Sequence, residues 1–238
     1  MNAQLISSIG LMVASGNRLE LPKDEQLSNY AEVKKTLLNA GGKYKRCGFE
    51  FSVEAIEVQE KLLGGEAIND KKKYQFFATP DELAQSLVDM ADIQQGHNCL
   101  EPSAGQGAIS DLMLKKAESV VVVELMPENV KALAKKGYMP VVGDFLEKNL
   151  GQFDRIVANP PFTKNQDIDH IIHMYSMLKP QGKLISVASK SWIHGTQKKQ
   201  ASFREWLHSV GAKVTEIPEG AFKESGTSIA SVCIEISL

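Results

Sequence analysis

The sequence predicts an α/β protein built on a seven-stranded, mostly parallel sheet, with helices on both faces, a closing antiparallel hairpin and a small N-terminal extension. Three observations predict it. From Tyr74 onward, short β-like runs alternate with helix-length segments, the pattern of a parallel sheet. Thr79-Pro80-Asp81-Glu82 has the form of a helix start, with Thr as N-cap and Pro at the first position. The last two runs have no helix between them, so they must pair as a hairpin and bring an antiparallel strand into the sheet.

The elements follow in order. After the Thr79 start, Leu83, Leu87, Val88 and Ala91 give one helix an apolar side. A strand at 97–101 leads to a helix at 107–117, and a valine-rich strand at 119–124 leads to a helix at 127–136. Strands at 138–142 and 153–158 follow, then a helix at 168–178, a strand at 183–188 and a helix at 202–210. The hairpin takes 213–217 and 229–236. The chain thus divides into an extension, 1–73, and a catalytic domain, 74–238. The extension reads as helices or a hairpin joined by turns at Gly41-Gly42 and Gly64-Gly65, mostly helical, with amphipathic segments at 27–38 and 53–63.

Apolar residues at 43% and charged residues at 24% are those of a globular chain, which excludes disordered and membrane-spanning classes. A net charge of −2 supplies no global attraction to phosphate, so nucleic acid would have to be held by a local basic groove. Cys47, Cys99 and Cys233 match no zinc or redox spacing and read as reduced, mostly buried thiols, and no metal site is expected. Met1 to Val13 has no basic n-region, so the protein is expected to be cytoplasmic.

In an open α/β sheet, ligands bind beyond the C-terminal strand ends, and the residues there carry chemistry. The first strand ends in Glu101-Pro102-Ser103-Ala104-Gly105-Gln106-Gly107, whose glycines let backbone approach a ligand and whose helix start would suit an anion. Ser110 stands where a dinucleotide fingerprint needs its third glycine. Glu124 and Leu125 end the second strand, and the carboxylate can accept both hydroxyls of a ribose. Asp144 and Phe145 end the third, where the Asp can accept from an adenine amine and the Phe can cover its ring.

The fourth strand ends in Asn159-Pro160-Pro161-Phe162. Two prolines stiffen the loop and present two acceptors, the Asn side-chain oxygen and the Pro160 carbonyl. An exocyclic amine is a poor nucleophile because its lone pair is delocalised into the ring. Acceptors holding its hydrogens draw the nitrogen toward a tetrahedral shape, and Phe162 offers a face for the base.

Together these residues resemble the class I, Rossmann-like methyltransferases, and most closely the small N6-adenine DNA methyltransferases of phages and mobile elements. The resemblance runs from Tyr74 to the C-terminus. It implies S-adenosylmethionine as cofactor, with Phe77, Thr79 and Pro80 of an F-x-T-P segment beside it. Glu101, Pro102, Ser103, Ala104, Gly105, Gly107, Glu124, Leu125, Asp144, Phe145 and Asn159 would complete the cofactor site. Asn159 to Phe162 would be catalytic. Phe162 departs from the commoner Tyr, and no segment is long enough for a target-recognition domain, which implies weak or short sequence specificity.

Expected nucleic-acid contacts are Lys164, Asn165, Lys190, Trp192, Lys198 and Lys199 beside the catalytic strand ends, and Lys45 and Arg46 in the extension. The expectation is a monomeric DNA adenine N-methyltransferase that needs neither metal nor membrane. RNA methylation at adenine N6 or guanine N2, protein glutamine methylation and non-catalytic cofactor binding remain as alternatives.

Overall fold

A computed structural model describes residues 2–24, 26–51, 53–65, 78–218, 220–222 and 230–238. The chain divides into two compact units, Met1–Lys73 and Tyr74–Leu238.

The first unit runs α1 (Ala3–Gly10), β1 (Val13–Ser15), β2 (Arg18–Glu20), α2 (Tyr30–Asn39), β3 (Lys43–Lys45), β4 (Gly48–Glu50) and α3 (Ala55–Leu63). Its strands form an antiparallel sheet in the order β1-β2-β4-β3. The mostly helical expectation allowed a hairpin but not this four-stranded sheet, because strands of three residues are too short to display alternation. Ile9, Leu19, Val33, Leu37, Phe49 and Leu62 build its core. The buried Gln59 amide donates to the Ile9 and Met12 carbonyls, both at 2.8 Å, tying α3 to the end of α1.

In the second unit, α4 (Asp81–Met90) precedes β5 (Asn98–Glu101), α5 (Ser110–Met113), β6 (Ser119–Glu124), α6 (Pro127–Lys135) and β7 (Val141–Val142). Then come β8 (Phe153–Ala158), α7 (Gln166–Ser176), β9 (Leu178–Ser189), α8 (Lys198–Ser209), β10 (Lys213–Glu216) and β11 (Ser231–Ser237). The sheet order is β10-β11-β9-β8-β5-β6-β7. β11 is antiparallel to both β9 and β10, whereas β9-β8-β5-β6-β7 are parallel. The order reverses between β5 and β8, which opens a crevice at their C-terminal ends.

Both sheet faces are covered, as the strand sequences require. Ile156 and Ala158 of β8 and Leu184 of β9 join the core beneath α7 and α8, with Ile171 and Phe203. Val157, Ile185 and Val187 point the other way, to a core with Leu87 of α4 and Ile109. Each such side chain stabilises the fold by about 1.5–3 kcal/mol relative to exposure. α6 is held through Leu133, packed on Val122 and Ala104.

Three local expectations change. The helix expected over 107–117 shrinks to the four residues of α5, so the turn after the glycines is not the start of a long helix, and the anion site inferred there loses its basis. The strand expected over 138–142 is only Val141–Val142. Pro80, not Thr79, occupies the cap position of α4, in extended conformation and without a side-chain cap bond. Among the described residues no helix is long and apolar enough to cross a membrane. Cys99 and Cys233 are buried, but Cys47 is exposed at the β3–β4 turn.

Candidate functional site

Hydrogen bonds knit the ends of β5, β6 and β7 together. Gly105 adopts φ 55°, a left-handed conformation open to glycine, and its N–H then donates to Glu124 Oε2 at 2.6 Å. Glu124 Oε1 accepts from the Leu125 and Met126 amides at 2.8 and 2.6 Å. Ala104 N–H reaches the Val123 carbonyl at 3.0 Å, and Gly143 N–H reaches the Glu124 carbonyl at 3.1 Å. Burial raises the Glu124 carboxyl above its usual range, opposed by the Met126, Gly105 and Leu125 amides. Pro102, Ala104 and Gly107 are buried, Ser103 is half-buried, and the Leu125 side chain is exposed at the strand end. Asp144 Oδ1 accepts from Leu146 N–H at 3.0 Å and caps a short 3-10 turn.

At the end of β8, Asn159 Nδ2 donates to Thr79 Oγ1 at 3.1 Å. That hydroxyl, expected to cap a helix, instead orients the Asn amide. Asn159 Oδ1 is enclosed and has no hydrogen-bond partner among the described residues. An unpartnered buried acceptor costs free energy, so a built-in one is a marker of a ligand group. Pro160 is buried, and Pro161 and Phe162 are half-buried, the Phe ring packing on the core beneath α4. Lys164 and Asn165 follow at φ 57° and 58°, two consecutive left-handed residues other than glycine.

Glu101 is buried at 2% exposure and its Oε2 also lacks a partner among the described residues. Burial pushes its carboxyl well above the ordinary range, with the nearby Glu124 and Asp111 charges adding to the rise. The neutral form therefore stabilises the fold. That stability is fully present below the unfolded value of about 4.3 and is lost as pH rises through the raised folded value. Glu101→Gln removes the buried ionisation. Its melting temperature should exceed the parent's by about 3 °C or more at neutral pH, with the gap closing toward about pH 4. A gap independent of pH contradicts this assignment.

The resemblance-derived residues divide on inspection. The residues at 101–107, Glu124, Leu125 and Asp144 lie together on adjoining strand ends, with Asn159 and Thr79 bonded to each other at the next. Phe77 lies outside the described residues. Phe145 is 2% exposed and packs on His170 and His173, with centroids 5.4 and 4.7 Å away. It is a core residue with no open face for an adenine.

Trp192 likewise is 5% exposed, edge-on to Phe203 at 5.2 Å, so it is not a platform for a base. Asn165 has its side chain engaged by Ser191, Gln197 and Gln200 and is not free for phosphate. Lys190 pairs with Glu216 at 2.8 Å and Lys199 with Asp169 at 2.5 Å. Lys164, in the loop after Phe162, and Lys198, at the start of α8, are exposed. In the first unit, Lys45 pairs with Glu50 at 2.7 Å, and Arg46 is exposed at the β3–β4 turn.

Three further residues emerge only from the structure. His170 is buried near Asp144, is pushed down to about 4 mainly by desolvation, and stays neutral. Asp167 does not cap α7: its Oδ2 accepts from the Ser189 amide and hydroxyl at 2.8 and 2.9 Å, binding α7 to the end of β9. Gln200 is buried at 6% exposure behind the Asn159 loop. Helical periodicity could have placed Gln200 and His170 on inward faces; their partners have no sequence signal.

Among the described residues no group of three or more His, Cys, Asp or Glu could hold a metal. Residues 78–208 match the family model for the methyltransferase small domain. The dimethyladenosine transferase of Schizosaccharomyces pombe is 34% identical over 88 residues, covering 34% of this chain and 29% of that protein. Ribosomal RNA small subunit methyltransferase A of Fusobacterium nucleatum is 29% identical over 103 residues, 39% of each chain. The matches thus span about three tenths to two fifths of these relatives' length. Among solved structures, a modification subunit of a putative type I restriction enzyme from Vibrio vulnificus shares the fold. Its TM-score is 0.58 at 18% identity, covering 76% of this chain and 48% of that one.

Proposed function

Since the chain belongs to the methyltransferase small-domain family, whose methyl donor is S-adenosylmethionine, we propose that it methylates the exocyclic N6 amine of adenine in DNA with weak or short sequence specificity. The observation that carries the reading is Asn159: an enclosed, unpartnered side-chain oxygen at the end of β8, its amide oriented by Thr79.

The residues present fit the cofactor. Glu101 offers an unpartnered buried carboxyl oxygen, suited to the cationic amino group of a methionine moiety. Glu124 would take the ribose hydroxyls and Asp144 the adenine amine, with Leu125 as an apolar cover; Phe77, Thr79 and Pro80 would lie along the methionine end. When bound, S-adenosylmethionine supplies an electrophilic sulfonium methyl.

The protein's part is to prepare the acceptor. Asn159 Oδ1 and the Pro160 carbonyl accept the two amine hydrogens and free the nitrogen lone pair for in-line attack. Phe162 stacks on the base, a contact worth about 1–3 kcal/mol. A base in duplex must first leave the stack, at a cost of a few kcal/mol that single strands avoid. Lys164 and Lys198 contact backbone phosphates; within the first unit, exposed Arg46 and Lys45 offer phosphate contacts of their own. The Lys45–Glu50 pair is a surface one and opposes this little.

RNA adenine is the second reading, and the sequence relatives favour it: they carry the names dimethyladenosine transferase and ribosomal RNA methyltransferase. Labelled S-adenosylmethionine offered with DNA, RNA and protein separates the two. Label in DNA is the expected result. Label in RNA alone replaces the DNA reading with the second, and label in protein alone removes both.

A further inference from the structure

The loop that carries Asn159 ends in a conformation that its sequence does not favour. Lys164 and Asn165 both sit in the left-handed region, which a Lys rarely occupies. Such backbone persists only where its surroundings hold it, and the holding group is visible. Asn165 Oδ1 accepts from Gln200 Nε2 at 3.2 Å and from Ser191 Oγ at 3.3 Å, and Asn165 Nδ2 donates to Gln197 Oε1 at 3.1 Å. Gln200 Nε2 donates in addition to the Ser191 carbonyl at 3.3 Å, and its Oε1 accepts from the Gln197 amide at 3.2 Å. One buried amide thus joins the loop after Phe162, the 3-10 turn that follows β9 and the start of α8.

Space for that amide is made by Gly195. A Cβ on Gly195 would stand 1.9 Å from Gln200 Oε1 and 2.3 Å from its Cδ. Gly195 is not held at positive φ, so only this close approach demands the glycine. The fold has a side chain and a vacant Cβ position matched to each other.

We propose that Gln200 is a positioning residue that holds the Asn159-to-Asn165 loop in its substrate-accepting shape, with Gly195 as the residue that admits it. The proposal rests on the methyltransferase reading for its effect on rate, but not for its effect on the loop. A displaced Asn159 oxygen would still be present yet out of reach, and a misplacement of this kind lowers the chemical step without removing the cofactor site.

The test uses the full chain as parent, Gln200→Leu, Gln200→Glu and Gly195→Ala. Gly195→Ala alters no hydrogen-bonding side chain chemically and displaces the Gln200 amide by its Cβ alone, so it keeps the test valid if Gln200→Leu fails to fold. Expected are kcat values about tenfold to a hundredfold below the parent's in folded Gln200→Leu and Gly195→Ala, with KM for S-adenosylmethionine within about threefold. Amide exchange at Asn165, whose N–H bonds to the Phe162 carbonyl at 3.2 Å, should quicken by about tenfold.

Gln200→Glu adds a readout that a purely structural role would not move. An ionised carboxylate cannot donate to Asn165 Oδ1 but a protonated one can. Its kcat relative to the parent should therefore rise severalfold from about pH 8 to about pH 5.5. A folded variant with kcat within about twofold of the parent, or unchanged exchange at Asn165, overturns the proposal, as does a flat Gln200→Glu ratio. If the parent transfers no methyl to nucleic acid, the exchange comparison alone decides the clamp, so the two readings fail separately.

Discussion

Asn159→Ala should lower methyl transfer by about a hundredfold to a thousandfold or more while leaving affinity for S-adenosylhomocysteine within about threefold. The expectation follows from where the side chain stands. Its Nδ2 is spent on Thr79 and its Oδ1 is enclosed without a partner, so the oxygen contributes little to the resting fold and its acceptor capacity is unused there. Removing it leaves the amine's lone pair delocalised, a loss felt in the transition state more than in binding. Stability should change little or improve, since an unsatisfied buried acceptor is removed. Asn159→Asp is the sharper companion: it keeps an acceptor oxygen but loses the amide that donates to Thr79, and should fall between parent and alanine. A rate within about tenfold of the parent in folded Asn159→Ala would mean that another group prepares the acceptor.

Glu124→Ala should weaken S-adenosylhomocysteine binding by about a hundredfold or more in calorimetric titration, as expected for losing hydrogen bonds to a charged acceptor worth about 1.5–3 kcal/mol each. The carboxylate has two tasks. It is the proposed ribose acceptor, and it also takes the Gly105, Leu125 and Met126 amides, which sets the glycine loop against the end of β6. Glu124→Ala should accordingly also lower the melting temperature. Glu124→Gln retains one acceptor oxygen and should be milder on both counts. Unchanged affinity in a folded Glu124→Ala would move the ribose elsewhere.

What the sequence made legible depended on how much of each element's reason was local. β6 and β8 were readable because apolar runs within six residues, 120–123 and 156–158, announce buried strands. The closing hairpin was readable because no helix separates its strands, and β11 does lie antiparallel beside β9. β7 was legible only as a longer strand than its two residues, and the four strands of the first unit have too few residues for any period to register. The strand-end motifs were placed together by topology alone: once strand order is known, Glu101, Glu124, Asp144 and Asn159 must share one edge of the sheet.

Aromatics in loops were the hard case. Phe145 and Trp192 sit beside chemistry-bearing residues, yet both are core side chains, because α7 and α8 fold back over them. Asn165 reads as a phosphate contact in the sequence but is engaged by Ser191, Gln197 and Gln200, partners that lie far along the chain. Thr79 was taken for a helix cap and is the partner of Asn159, 80 residues away in sequence.

The central claim is that the acceptor is the exocyclic amine of adenine, prepared by Asn159. Nucleic acid methylated by the purified protein, digested to nucleosides and resolved by mass spectrometry and chromatography, tests it most directly. N6-methyladenine as the modified base, absent with Asn159→Ala, is the result expected. Methyl on guanine, on cytosine or on a ring nitrogen would contradict it.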